Sequence, residues 1–109
     1  MAYDEQFAER VRTIVREEAG YDEKKMFGGL AFMIEGNMAV GVMKDGLMVR
    51  LDPDDFDGAL QKPGTSPFEM GKKQSNNWVS VEESVLDEDS ELESWVAQGI
   101  DFARTLPPK

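Results

Sequence analysis

The sequence predicts a two-layer α+β domain, an antiparallel sheet with helices packed against it. Three observations carry that expectation. Residues 25–51, KMFGGLAFMIEGNMAVGVMKDGLMVRL, are the most apolar stretch of an acidic chain. Turn signals at Glu35-Gly36-Asn37 and Asp45-Gly46 cut that stretch into strand-length pieces. Residues 4–19 and 90–106 instead repeat apolar side chains at helical spacing, and a helix with one apolar face needs a layer to pack on.

Residues 4–19 read as an amphipathic helix with Phe7, Val11, Ile14 and Val15 on one face. Asp4 and Glu5 suit its positive end, and Gly20 is placed for a left-handed exit. Residues 21–25 read as a polar connection. Met26-Phe27 then begins a strand that Gly28-Gly29 interrupts, a sign of a bulge or a close backbone approach. Residues 30–34, 38–43 and 47–51 follow as strands.

A two-residue loop at Asp45-Gly46 sets Val42 opposite Val49, Met43 opposite Met48 and Val40 opposite Leu51. A three-residue loop at 35–37 sets Phe32 opposite Val40 and Leu30 opposite Val42. One face then collects Leu30, Phe32, Ile34, Met38, Val40, Val42, Leu47, Val49 and Leu51, the expected core. The other collects Ala31, Met33, Ala39, Gly41, Met43, Met48 and Arg50.

Asp52-Pro53-Asp54-Asp55 opens a short helix with an acid at the N-cap and Pro at the first position. A loop over 62–67 leads to a short strand at 68–70, a polar turn at 71–77 and a strand at 78–81. The last helix has a capping box, Ser90 with Glu93, and a buried stripe through Leu92, Trp95, Val96, Gly99, Phe102, Ala103 and Leu106. Pro107-Pro108 stops it. The predicted order is α-β-β-β-α-β-β-α in a single domain, 1–109.

Composition narrows function by exclusion. The 109 residues hold no cysteine and no histidine, which removes disulfides, thiolate metal sites and every histidine-activated nucleophile. The net charge of −10 opposes contact with a polyanion, so nucleic acid is an unfavoured partner. The opening MAYDEQFAERV has no apolar core of a signal peptide, and no apolar run approaches the roughly 20 residues of a membrane span. A cytoplasmic protein without membrane contact is expected.

Motif tests give no chemistry. Gly71-Lys72 is followed by Lys73 and lacks the first glycine of a phosphate loop, and Gly28-Gly29 lacks the third glycine of a dinucleotide turn. The acidic runs 52–58 and 87–91 misplace the glycine and the closing glutamate of a calcium loop, and read as helix-entrance charge. Carboxylate pairs are frequent among 22 acids, but nothing places one in an apolar pocket. No catalytic, cofactor-binding or metal residue is predicted, and the chain is not expected to be an enzyme.

Two surfaces remain. An antiparallel sheet normally turns polar residues to solvent, whereas the second face here is methionine, alanine and glycine. Met33, Met43 and Met48 with Arg50 are therefore the expected contacts for a protein partner or for self-association as a homodimer. Coverage by a later part of the chain is the equally weighted alternative. Lys24, Lys25, Lys72 and Lys73 are the alternative nucleic-acid contacts if their loops share a sheet edge near Trp78. Solvated charge is the simpler account of them.

The segments MAYDEQFAERVR, KKMFGGLAFMIEGNMAVGVMKDGLMVRL, NNWVSV and SWVAQGIDFARTLPPK together resemble the N-terminal domain of the TfoX/Sxy family, over essentially the whole chain. The resemblance implies a small α+β domain with a central antiparallel sheet and a secretion-chaperone-like arrangement. It also implies a bacterial protein-interaction module in transcription or competence regulation, since the best-known members act with a transcription activator on competence genes. Those members carry a second, helical domain for which these residues leave no room, so a stand-alone copy is expected. The family supplies no catalytic residues.

Overall fold

Residues 21–50 form four consecutive antiparallel strands, the polar β1 (Tyr21–Met26) and the apolar β2 (Gly29–Ile34), β3 (Asn37–Met43) and β4 (Gly46–Arg50). The computed structural model describes residues 4–26, 28–44, 46–70 and 73–108, with Met26, 68–70 and 73–76 described by their backbone. A hairpin of β5 (Thr65–Met70) and β6 (Lys73–Glu82) adds to β4, so the sheet runs β1-β2-β3-β4-β6-β5 with every neighbour antiparallel. Three helices accompany it, α1 (Glu5–Val15), α2 (Pro53–Ala59) and α3 (Asp89–Arg104), with a 3-10 turn at Glu83–Val85 before the last. Phe7 and Val11 of α1, Phe56 of α2 and Trp95 and Ile100 of α3 share one core with Phe32, Val40, Val49 and Val79. This is the predicted two-layer α+β arrangement with one strand more.

The additional strand is β1, over residues read from sequence as a polar connection. An edge strand has one neighbour, so half of its surface stays in water and polarity suits it. Tyr21 pairs with Ile34 and Glu23 with Phe32, which turns both toward the helices, and the Tyr21 ring stacks on Phe32 at 6.4 Å. Gly28-Gly29 therefore follows β1 instead of interrupting a strand. The close approach is real: a Cβ on Gly29 would sit 2.5 Å from the Met43 sulfur. Phe27 lies outside the described residues. Much of the predicted polar turn 71–77 is strand, since β6 begins at Lys73 opposite Met70.

The β2–β3 connection revises the face assignment. Ile34 pairs with Asn37, leaving a two-residue turn in which Glu35 (φ 52°) and Gly36 (φ 85°) are both left-handed. Leu30–Val42 and Phe32–Val40 pair as predicted, but the register slips between Phe32 and Met33. Ala39 is the extra residue of that bulge. Alternation inverts beyond it: Ala39 joins the helix-side core, while the Met38 methyl lies against Gly41 on the opposite face.

At the β3–β4 turn Met43 pairs with Gly46, so Val42 meets Leu47 and Val40 meets Val49, two residues from the predicted register. An even shift keeps each side chain on its predicted face. Asp45 lies outside the described residues.

Helix ends differ in detail. Asp4 caps α1 by accepting from the backbone N–H groups of Gln6 and Phe7, but the helix ends at Val15. Gly20 (φ 80°) instead shapes the turn into β1, where its carbonyl accepts from the Glu35 N–H at 2.9 Å. Asp52 caps α2 with Pro53 in the first turn, as predicted. The N-cap of α3 is Glu88, so Ser90 lies inside the helix and the Ser90–Glu93 capping box does not form. Asp89 and Glu91 still place charge at its positive end. Gly99 lets α3 approach β3, because a Cβ there would stand 2.5 Å from the Ala39 carbonyl oxygen.

Candidate interaction surface

All three helices contribute to one core, which leaves the other face of the sheet to its own side chains. Ala31 and Gly41 form its floor, and both are buried. Met38 supplies part of the roof: its Cε lies where a Cβ on Gly41 would come within 2.8 Å. Met33 and Met48 are 9% and 7% exposed, so these two predicted contacts are largely covered within the chain. Met43 and Met38 are half-buried, as are Trp78 and Ser80 on the neighbouring β6. The accessible part of this face therefore centres on Met38 and Met43. Met38 escaped the sequence reading because nothing in GNMA announces a bulge.

Arg50 ends β4 opposite Trp78. Its guanidinium carbon lies 5.6 Å from the Trp78 ring centre and 5.5 Å from that of Phe102 on α3, a cation held between two aromatic faces. Nη1 donates a long hydrogen bond to the Met38 carbonyl at 3.5 Å, and Nε is buried without a partner. Burial pushes its pKa below the usual guanidinium range. Arg50 thus follows Met48 in sequence but reaches for the helix layer at the end of the sheet.

Lys24, Lys25 and the backbone of Lys73 do not converge. Lys24 and Lys25 are exposed on β1, and their register opposite Ala31 and Leu30 turns them to opposite faces. Lys73 belongs to β6, with β2, β3 and β4 standing between it and β1. Lys72 lies outside the described residues. The shared edge that a basic groove required is absent from the sheet order.

The remaining charge ties elements together. Arg12 of α1 holds Glu23 of β1 through two 2.9 Å hydrogen bonds and also pairs with Glu9. Arg12 keeps the Glu23 carboxyl below its ordinary range, and the Tyr21 hydroxyl donates to the same carboxylate. Burial, and then the Asp4 charge, push Glu83 upward. Among the described residues no three carboxylates are grouped to hold a metal ion, and no helix is long and apolar enough to cross a membrane.

The family model of the TfoX N-terminal domain matches residues 14–103. The chain belongs to the TfoX N-terminal domain family. The match begins inside α1 and ends inside α3, so the whole sheet, the bulge at Ala39 and the Arg50 site fall within this TfoX domain. No curated protein and no solved structure matches the chain.

Proposed function

We propose that this TfoX domain works by binding another protein chain, not by catalysis, and that the methionine face is its contact surface. The observation that carries this reading is a sheet face that none of the described helices covers and whose central strands β2, β3 and β4 nevertheless present methionine, alanine and glycine. Methionine side chains re-form contacts at low cost, which suits a surface that must be closed when free and complementary when bound. A second copy of the chain or a different protein would both satisfy that chemistry. Family membership makes regulation of transcription or competence the setting we favour, with the cytoplasm as its compartment. The nucleic-acid alternative loses ground because the net charge is −10 and Lys24, Lys25 and Lys73 are spread over distant strands.

The test uses Met38→Glu with Met43→Glu, because these half-buried positions admit charge more readily than Met33 or Met48. The expected result is an unchanged circular dichroism spectrum with loss of self-association, or of partner capture from native lysate after nuclease treatment. Unchanged assembly in a folded double variant overturns the methionine face. Capture abolished by nuclease alone overturns the protein-binding reading.

A further inference from the structure

Arginines in this acidic chain normally meet a carboxylate of their own. Arg10 reaches Asp89 at 3.1 Å, Arg12 reaches Glu23 at 2.9 Å and Arg104 reaches Glu18 at 2.9 Å, while Arg16 is exposed. Arg50 differs. With 22 acids in the sequence, none among the described residues pairs with it. Its Nε is buried and unpaired, Nη2 donates to nothing among the described residues, and Nη1 has only the 3.5 Å contact with Met38. Arg50 is half-buried, and covering its Nε–H without an acceptor is unfavourable; an external anion would supply that acceptor.

We propose that Arg50, between Trp78 and Phe102, is a recognition site for a carboxylate supplied from outside the domain. The unused donors Nε and Nη2 lie on the edge of the guanidinium that takes a planar carboxylate in a two-point contact. Nε is covered in the free chain, so such a ligand must part its neighbours, and half-buried Trp78 is the ring placed to report that movement. Asp52, Asp55 and Asp101 line the neighbouring cavity of about 250 Å³ together with Phe102. That acidic rim disfavours a dianionic phosphate more than a singly charged carboxylate. The site adjoins the methionine face, since Nη1 bonds the Met38 carbonyl and Trp78 borders both, but it is read at Arg50 itself and so fails or stands without that face.

The test is a titration of the ¹⁵N-labelled chain with sodium acetate, with sodium chloride at matched ionic strength and pH as the control. The expected result is a saturable movement of the Arg50 Nε–H and Trp78 indole resonances in acetate, at least fivefold larger than in chloride. Arg50→Lys keeps the charge without the two-point edge and should weaken the response at least tenfold. Arg50→Met should abolish it while leaving the thermal midpoint unchanged or higher. Acetylated trialanine and its C-terminal amide separate the sources: binding of the free acid tighter than acetate assigns a polypeptide carboxylate, and equal binding assigns a small acid. Resonances that respond alike to acetate and chloride overturn the proposal. So does an Arg50→Met midpoint lowered by several degrees, which would make the guanidinium a structural tie between sheet and helix.

Discussion

On the face that carries the helices, Phe32, Val40, Val49 and Val79 have no exposed surface because a second layer of structure covers them. On the opposite face Ala31 is equally buried with no helix over it. The two faces come from the same strands, residue by residue in alternation except at the Ala39 bulge. One is closed by branched and aromatic side chains locked between elements. On the other the flexible ends of Met43 and Met38 lie against Gly29 and Gly41. Burial alone therefore does not identify a core: the first face can open only by moving a helix, the second by rotating side chains.

The largest effect that would sharpen this contrast is at Phe32. Phe32→Ala should cost about 4 kcal/mol, a large share of the stability of a domain this size, whereas Met43→Ala at a half-buried position should cost about 1 kcal/mol or less. Urea midpoints at constant slope would show it. Equal losses would mean that both faces are rigid core.

Two of the close-approach glycines, Gly99 and Gly41, make the same comparison with a single methyl group. A Cβ at Gly99 meets the Ala39 backbone oxygen at 2.5 Å, but at Gly41 it meets the far end of Met38 at 2.8 Å. Backbone cannot yield without shifting α3, so Gly99→Ala should lose about 2 kcal/mol even after the gain in helix propensity. Gly41→Ala should change stability by about 0.5 kcal/mol or less, because a methionine end rotates away. A costly Gly41→Ala would break the distinction.

The smallest effect is at the rim of the helix-covered face, where Arg12 clamps Glu23. Glu23 has a lowered folded-state pKa, so its contribution is present above the ordinary glutamate range and disappears as pH falls through the folded value. With both side chains about a third exposed, Glu23→Gln should lose about 0.5 kcal/mol at pH 7, and nothing at a pH low enough to protonate the clamp. Glu83 has the opposite sign. Its raised pKa means the folded chain holds that proton more tightly, a contribution present at low pH and lost as pH rises through the folded value. Glu83→Gln should therefore stabilise at neutral pH, with the gain fading on acidification. Thermal midpoints from pH 3 to 7 would separate the two.

Much of the fold is legible in the sequence. The three helices, the strands of the central stretch, the acid-and-proline start of α2 and the pairs Leu30–Val42 and Phe32–Val40 all follow from local spacing. What was missed has a common origin. β1 is polar because it is an edge, and an edge exists only relative to the rest of a sheet. The two-residue turn at Glu35-Gly36 with a bulge at Ala39 uses the same number of residues as the predicted three-residue loop, so length could not separate them. Asp45-Gly46 marked a turn correctly but not which residue re-enters the strand.

The candidate surface divides the same way. That the second face would be methionine-rich is a matter of period-two alternation, and the sequence alone determined it. The bulge brought Met38 to that face, where Met33 and Met48 are covered. Arg50 looked like one more residue of that face. Only the docking of α3 beside β4 brings Phe102 to it across the layer boundary, opposite Trp78. Residues more than 50 positions apart meet there through packing that no local pattern encodes. Alternation and spacing act within a few residues and were readable in order along the chain, while desolvation and pairing of a charge depend on which distant elements arrive beside it.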